Sequence, residues 1–315
     1  MDPYFNVPPY LPPPSDPQFL PSEPTPIYTS YENLPSYGSS VDLNSVAEMI
    51  KSRFEDKSNW KGHFDAIDNI RVINKYYPAQ INNIFMAFGV YILEHLDNQK
   101  RTNVFRNCLF LMKEIFRNCR EHRLADEIIQ KLVPVLLAKI TSEKQIIKEE
   151  IKGIFEEITQ NCLYESTFIA ICQLCFEKNP SVAETAVKIL ARMLNNVGQN
   201  IMNLSQNSLQ MLFKTLANML DEKISLKNAN LRTWTVEICN YIYRMVGMEN
   251  FVNFLHVLLN EEEAFVIKSA MEKPIVKKES KKSRVSIGDY IKFKRDTGNF
   301  AGLGTYNGQN NGGFN

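Results

Sequence analysis

Residues 178–198 read KNPSVAETAVKILARMLNNVG, and this stretch carries a complete helix signature. Asn179 offers a side-chain acceptor suited to an N-cap, and Pro180 after it fits the first helical position, where a missing N–H is no loss. Val182, Ala186, Ile189, Met193 and Val197 then recur at three and four residues, which places them on one helical face. Gly198 supplies the residue that most readily ends a helix.

The same pattern repeats on either side. Phe105, Cys108, Leu109, Met112, Phe116 and Cys119 form one apolar stripe, and Ile147, Ile151, Ile154, Ile158 and Cys162 form another. Trp60, Phe64, Ile67 and Ile70 begin the series, and Leu231, Trp234, Ile238, Tyr241 and Met245 continue it, with Gly247 as a stop. Ser142 and Gln145 have capping-box spacing. Each stripe follows another amphipathic segment and a short polar break. The second helices are expected to start near positions 60, 103, 145, 180 and 230, at intervals of about 35 to 50 residues, close to a HEAT-type period. The chain therefore reads as an all-α solenoid of about six HEAT-like helix pairs, the sixth running from Glu249 with its second helix over 262–271. Such pairs bury their apolar faces only against neighbours, so 41–271 is expected to fold as one domain.

Flanking composition differs. Residues 1–40 hold 11 of the 15 prolines, four acidic residues and no Lys or Arg, and read as a disordered arm. Its aromatics Tyr4, Phe5, Tyr10, Phe19, Tyr28, Tyr31 and Tyr37 are candidates for docking on a partner. Residues 272–315 hold nine basic and four acidic residues and then turn rich in Gly and Asn, which predicts a flexible tail. Within it, the Ser283 and Ser286 run is a candidate phosphorylation switch. The formal charge of +1 divides into about −4 on the arm and +5 on the tail, leaving 41–271 neutral. A globally basic nucleic-acid binder is excluded on that ground.

Enzyme chemistry finds no foothold in the sequence. There is no phosphate-binding glycine loop, dinucleotide fingerprint, HExxH or nucleophile elbow. His63, His95, His122 and His256 lack ligand spacing, and the paired Cys172 and Cys175 have no second CxxC, so no metal and no cofactor is expected. All six cysteines fall among apolar residues and read as reduced and packed. No apolar run reaches the roughly 18 to 20 residues of a membrane span. The start, Met1 to Tyr4, lacks a signal-peptide pattern, which points to the cytoplasm.

The informative positions are the turns inside the helix pairs, because a solenoid lines equivalent turns along one edge. Those turns carry Trp60 and Lys61; Lys100, Arg101 and Asn103; Lys144; Lys178 and Asn179; and Lys227, Asn228 and Arg232. One aromatic with a row of cations suits an acidic protein surface. Turns in any solenoid are polar, so a HEAT scaffold holding another protein complex is the competing reading.

At these residues the chain resembles a TOG domain, the tubulin-binding HEAT module of the CLASP, polymerase and TOGARAM-type families, over about 41–271. Trp60-Lys61-Gly62-His63-Phe64-Asp65-Ala66-Ile67 is similar to the family's Trp-start of a second helix. Leu132 to Leu137 with the Lys144 turn, Lys178 to Val182, and Leu226 to Gly247 resemble its later repeats. The resemblance implies a non-enzymatic paddle whose turns grip αβ-tubulin, with Trp60 on β-tubulin and the later basic turns towards α-tubulin. It further implies a place on microtubules or in the ciliary axoneme, where the tails meet other cytoskeletal or ciliary proteins. His63 stands where the family usually has Arg, and Ser181 and Ala183 stand where a basic residue is frequent. One such unit does not suit a stand-alone polymerase, which combines several grips.

Overall fold

The computed structural model describes residues 28–38, 40–98, 101–120, 122–142, 144–221 and 229–272. Its helices alternate along the chain as first and second members of pairs: α1 (Leu43–Glu55) and α2 (Trp60–Tyr76), α3 (Ile81–Asn98) and α4 (Thr102–Asn118), α5 (Asp126–Ala138) and α6 (Gln145–Asn161), α7 (Glu165–Leu174) and α8 (Pro180–Val197). There follow α9 (Gln206–Leu220), α10 (Ala229–Leu258) and α11 (Glu261–Glu272). Gly247, at φ 81° and ψ 166°, breaks α10 into two helical halves. The first half completes the fifth pair. The second half and α11 form the sixth, as the spacing predicted.

Second helices stack on second helices, α2 on α4, α4 on α6 and α6 on α8, while α3 packs on α5, α5 on α7 and α7 on α9. The result is two layers with one continuous apolar core between them. The stripes centred on α4, α6 and α8 are buried throughout. In α10 the stripe is only partly covered, with Trp234, Tyr241 and Met245 packing at its margin. The six cysteines are buried free thiols. Gly198 ends α8 at φ 54°, a left-handed value that glycine adopts without strain.

Two expectations need correction. Ser142 does not form a capping box with Gln145: a 3-10 turn, Lys139–Thr141, ends at Ser142 with ψ 141°, and the N-cap position of α6 falls on Lys144. Ser142 sits too early to cap, and the Gln145 amide donates instead to Glu149. The second correction concerns the arm. Residues 28–38 lie docked along α2 and α4, and residues 1–27 and 273–315, where the remainder of the expected tails falls, lie outside the described residues.

Chemistry explains the docking. The Tyr28 ring packs 5.4 Å from Phe64 and 5.3 Å edge-on from Phe110, with the Arg106 guanidinium 5.0 Å above it. Leu34 is 3 % exposed, a core residue contributed by this strap. The Lys75 ammonium donates to the carbonyl of Glu32 at 2.8 Å and the Tyr76 hydroxyl to that of Leu34 at 2.8 Å. Tyr31 accepts from the Asn118 amide at 3.0 Å, and the Tyr37 hydroxyl meets Asn69. Strap backbone that would otherwise lie unpaired on apolar surface thus finds donors.

Beneath the strap lies a buried ionic cluster. Arg71, 1 % exposed, donates from Nε and Nη2 to both carboxylate oxygens of Glu114, from Nη1 to Asp68 and Asn107, and from Nη2 to the carbonyl of Thr29 at 2.7 Å. Burial pushes the Glu114 carboxyl above its usual range, with the bonds from Arg71 offsetting part of that rise. Asn107 links the cluster to the α2 backbone through the Phe64 carbonyl at 3.1 Å.

Arg71→Met should lower the unfolding free energy by about 3–5 kcal/mol, because Glu114 would be left buried without its partner; Arg71→Met with Glu114→Leu should recover much of that loss in urea titrations followed by circular dichroism. A fragment 28–272 should melt at a higher temperature than 41–272, and Tyr28→Ala in the longer fragment should cost about 1–2 kcal/mol. Equal melting temperatures for the two fragments would show the strap contributes nothing to stability.

Candidate functional site

The first four turns inside the pairs follow one edge of the solenoid. Contacts between consecutive turns establish this: the Arg101 guanidinium lies 6.0 Å over the Trp60 ring, and Lys144 Nζ reaches Thr102 Oγ1 at 3.4 Å. Just behind, Lys139 Nζ donates to the Asp97 carbonyl at 2.6 Å and pairs with its carboxylate at 3.1 Å. The 3-10 turn Lys139–Thr141 also contacts α8, whose start carries Lys178 and Asn179.

The first turn is the most elaborately built. Asp56 Oδ1 accepts from the Ser58 hydroxyl at 2.7 Å and the Ser58 N–H at 3.2 Å, and these bonds hold its carboxyl below the usual range. Asn59 then caps α2, its Oδ1 accepting from Gly62 N at 2.9 Å. A Cβ on Gly62 would sit 3.1 Å from the Asn59 side chain, so glycine is what lets the cap close. His63, 8 % exposed, contacts the Asp56 carbonyl through Nε2 at 3.1 Å and His95 Nε2 through Nδ1 at 2.9 Å. His63 is therefore a brace behind the turn. Trp60, first residue of α2, is partly buried against the core and keeps part of its ring at the edge.

The remaining candidates differ in how they are held. Lys144, Lys178 and Arg101 are exposed, and Lys61 is half-buried. Asn179 is exposed but acts as the N-cap of α8, accepting from Ser181 N at 3.0 Å. Asn103 is engaged by the strap: its Oδ1 accepts from the Tyr28 hydroxyl at 3.1 Å and its carbonyl at 3.2 Å. Burial raises the Tyr28 pKa, which keeps that hydroxyl a neutral donor. Arg232 turns back to the end of α9, with Nη1 at 3.4 Å from the Leu220 carbonyl. Lys100, Lys227 and Asn228 lie outside the described residues.

Sequence reasoning missed two residues on this edge. Ile146 is 52 % exposed in the first turn of α6, and Phe176 is 40 % exposed in the turn between α7 and α8. The signal for Ile146 was present: it falls one position off the stripe led by Ile147. Phe176, in a short turn, had none.

The family model for the CLASP N-terminal region matches residues 43–235, well over half of the chain. The chain belongs to the CLASP N-terminal family. The match begins at α1 and ends within α10, and it bears out the resemblance of this stretch to a TOG domain. Solved structures similar to this CLASP N-terminal chain include one from work on microtubule plus-end tracking by XMAP215, CLIP-170 and EB1, at 16% identity and TM-score 0.49, covering 75% of this chain and 96% of the other. The TOG domain of Zyg9 from C. elegans is similar at 14% identity and TM-score 0.48, covering 76% and 91%. A third, from work on TOG–tubulin binding specificity, stands at 13% and 0.44, covering 71% and 92%. A search of curated proteins found no match.

Among the described residues, no three His, Cys, Asp or Glu side chains gather as a metal site, and no helix is long and apolar enough to cross a membrane. Asn59→Ala should remove the α2 cap and cost about 1 kcal/mol of stability by thermal denaturation. Gly62→Ala should change stability by less than about 1 kcal/mol, because the 3.1 Å approach of its Cβ to the Asn59 side chain disturbs the cap while alanine gains helix propensity; in the Asn59→Ala background, where the cap is already gone, the same substitution should be the more stabilising by thermal denaturation.

Proposed function

We propose that this CLASP N-terminal chain is a non-enzymatic tubulin-binding protein that grips tubulin through its row of intra-pair turns and acts in the organisation of microtubules or of a ciliary axoneme. The carrying observation is the continuous edge on which Trp60, Arg101, Lys144 and Lys178 succeed one another, each on a turn fixed by caps or by its neighbour. Tubulin's acidic surface is the expected complement of such an edge, with cations guiding the encounter and the aromatic ring supplying an apolar anchor. Lys61 and Arg232 take supporting positions, and Asn103 and Asn179 shape the turns from which their neighbours project. Lys100, Lys227 and Asn228 belong to the same row by sequence. The cytoplasm and its cytoskeleton are the expected setting, and the basic tail would add attraction to the microtubule surface.

Trp60→Ala should weaken tubulin binding about tenfold or more while leaving the helical circular dichroism spectrum intact. The triple variant Lys100→Glu, Lys144→Glu, Lys178→Glu should abolish co-sedimentation with microtubules and co-elution with unpolymerised tubulin. Retained binding by that variant would move the function to another face and favour a scaffold for a different complex.

A further inference from the structure

Polar side chains are the default at the turns of a solenoid, since turns face water on every side but one. Single exposed apolar residues are common and need no explanation. Two large ones in consecutive turns of the same edge form a pattern. Ile146, 52 % exposed, follows Lys144 by two residues, and Phe176, 40 % exposed, precedes Lys178 by two. Helices α6 and α8 pack directly on each other, so these turns are neighbours. Both lysines are exposed. Neither apolar residue is needed by the core: the α6 stripe is complete with Ile147, Ile151, Ile154 and Ile158 buried, and the end of α7 is closed by Leu174 and Cys175.

From this we infer that Ile146 and Phe176 are the apolar contact of the third and fourth turns, binding apolar side chains set among carboxylates on the acidic tubulin surface. The inference rests on the tubulin reading above and deepens it, adding a second anchor distant from Trp60. Lys144 and Lys178 draw the acidic surface in, and the two apolar side chains hold it once water is displaced. The edge is continuous with the Trp60 turn through the Arg101 and Lys144 contacts, so both anchors can engage one partner.

The two contributions separate by salt. Attraction between exposed charges is screened over roughly 8–10 Å at physiological ionic strength, whereas burial of apolar area is nearly insensitive to it. The test uses the full chain and purified tubulin, both unpolymerised and as microtubules, with dissociation constants measured from about 50 to 300 mM KCl. Ile146→Ser with Phe176→Ser should weaken binding about tenfold or more at every salt concentration, with the salt dependence of the wild type preserved. Lys144→Gln with Lys178→Gln should flatten that dependence. Met86→Ser with Val90→Ser removes comparable exposed apolar area from α3, 72 % and 68 % exposed in the wild type, and should bind as the wild type does. Binding by the Ile146/Phe176 variant within twofold of wild type, or an equal loss in the α3 variant, would overturn the inference while leaving the tubulin reading in place. A wild-type chain that binds neither form of tubulin would overturn both.

Discussion

Arg71 joins three parts of the chain that no local interaction connects. Its guanidinium ties α2 to α4 through Glu114 and Asn107, and ties both to the strap through the Thr29 carbonyl. A planar fork of donors suits this task and a lysine would not, because two parallel bonds to one carboxylate and further bonds to Asp68, Asn107 and Thr29 use the whole guanidinium. Buried charge is tolerable only when its hydrogen bonds are satisfied, and here the bonds of the guanidinium run to α2, α4 and the strap. Nearer the edge, Arg106 repeats the device between α4 and α6, pairing with Glu150 at 2.7 Å and covering Tyr28.

That constraint reaches the candidate interface. The turns bearing Trp60 and Arg101 sit at the N-terminal ends of α2 and α4, the two helices that Arg71 clamps, so the approach of Arg101 to the Trp60 ring is set from below. Tyr28 extends the clamp to the edge itself by bonding Asn103. Further along, the spacing of Lys144 and Lys178 follows from the packing of α6 on α8, and caps such as Asn179 decide where each turn stops. An edge built this way holds its turns in place before a partner arrives, which reduces the entropy lost on binding.

The His63 and His95 contact acquires meaning only in three dimensions. In sequence the two residues lie 32 apart and share no ligand spacing. In the fold they meet at 2.9 Å behind the first turn, and His63 also contacts the Asp56 carbonyl. The first turn is thus supported from behind by an internal brace.

The helices and their pairing were legible in the sequence. Stripes at three- and four-residue spacing, Asn179 before Pro180, and glycines at 198 and 247 are local signals, and local signals are sufficient for a solenoid because each pair touches only its neighbours. The resemblance to a TOG domain was legible for the same reason, since the order and spacing of the pairs follow once helix ends are placed. The strap, the Arg71 cluster and the exposure of Phe176 come from contacts between distant parts of the chain, and Ile146 was legible only as an off-stripe position. Proline content and missing cations marked residues 28–38 as arm, yet Tyr28 finds Phe64, Phe110 and Asn103 across 36 to 82 positions of sequence. Contacts between residues so far apart leave no periodic trace in a single chain, and burial of an off-stripe isoleucine depends on what the neighbouring pair happens to cover.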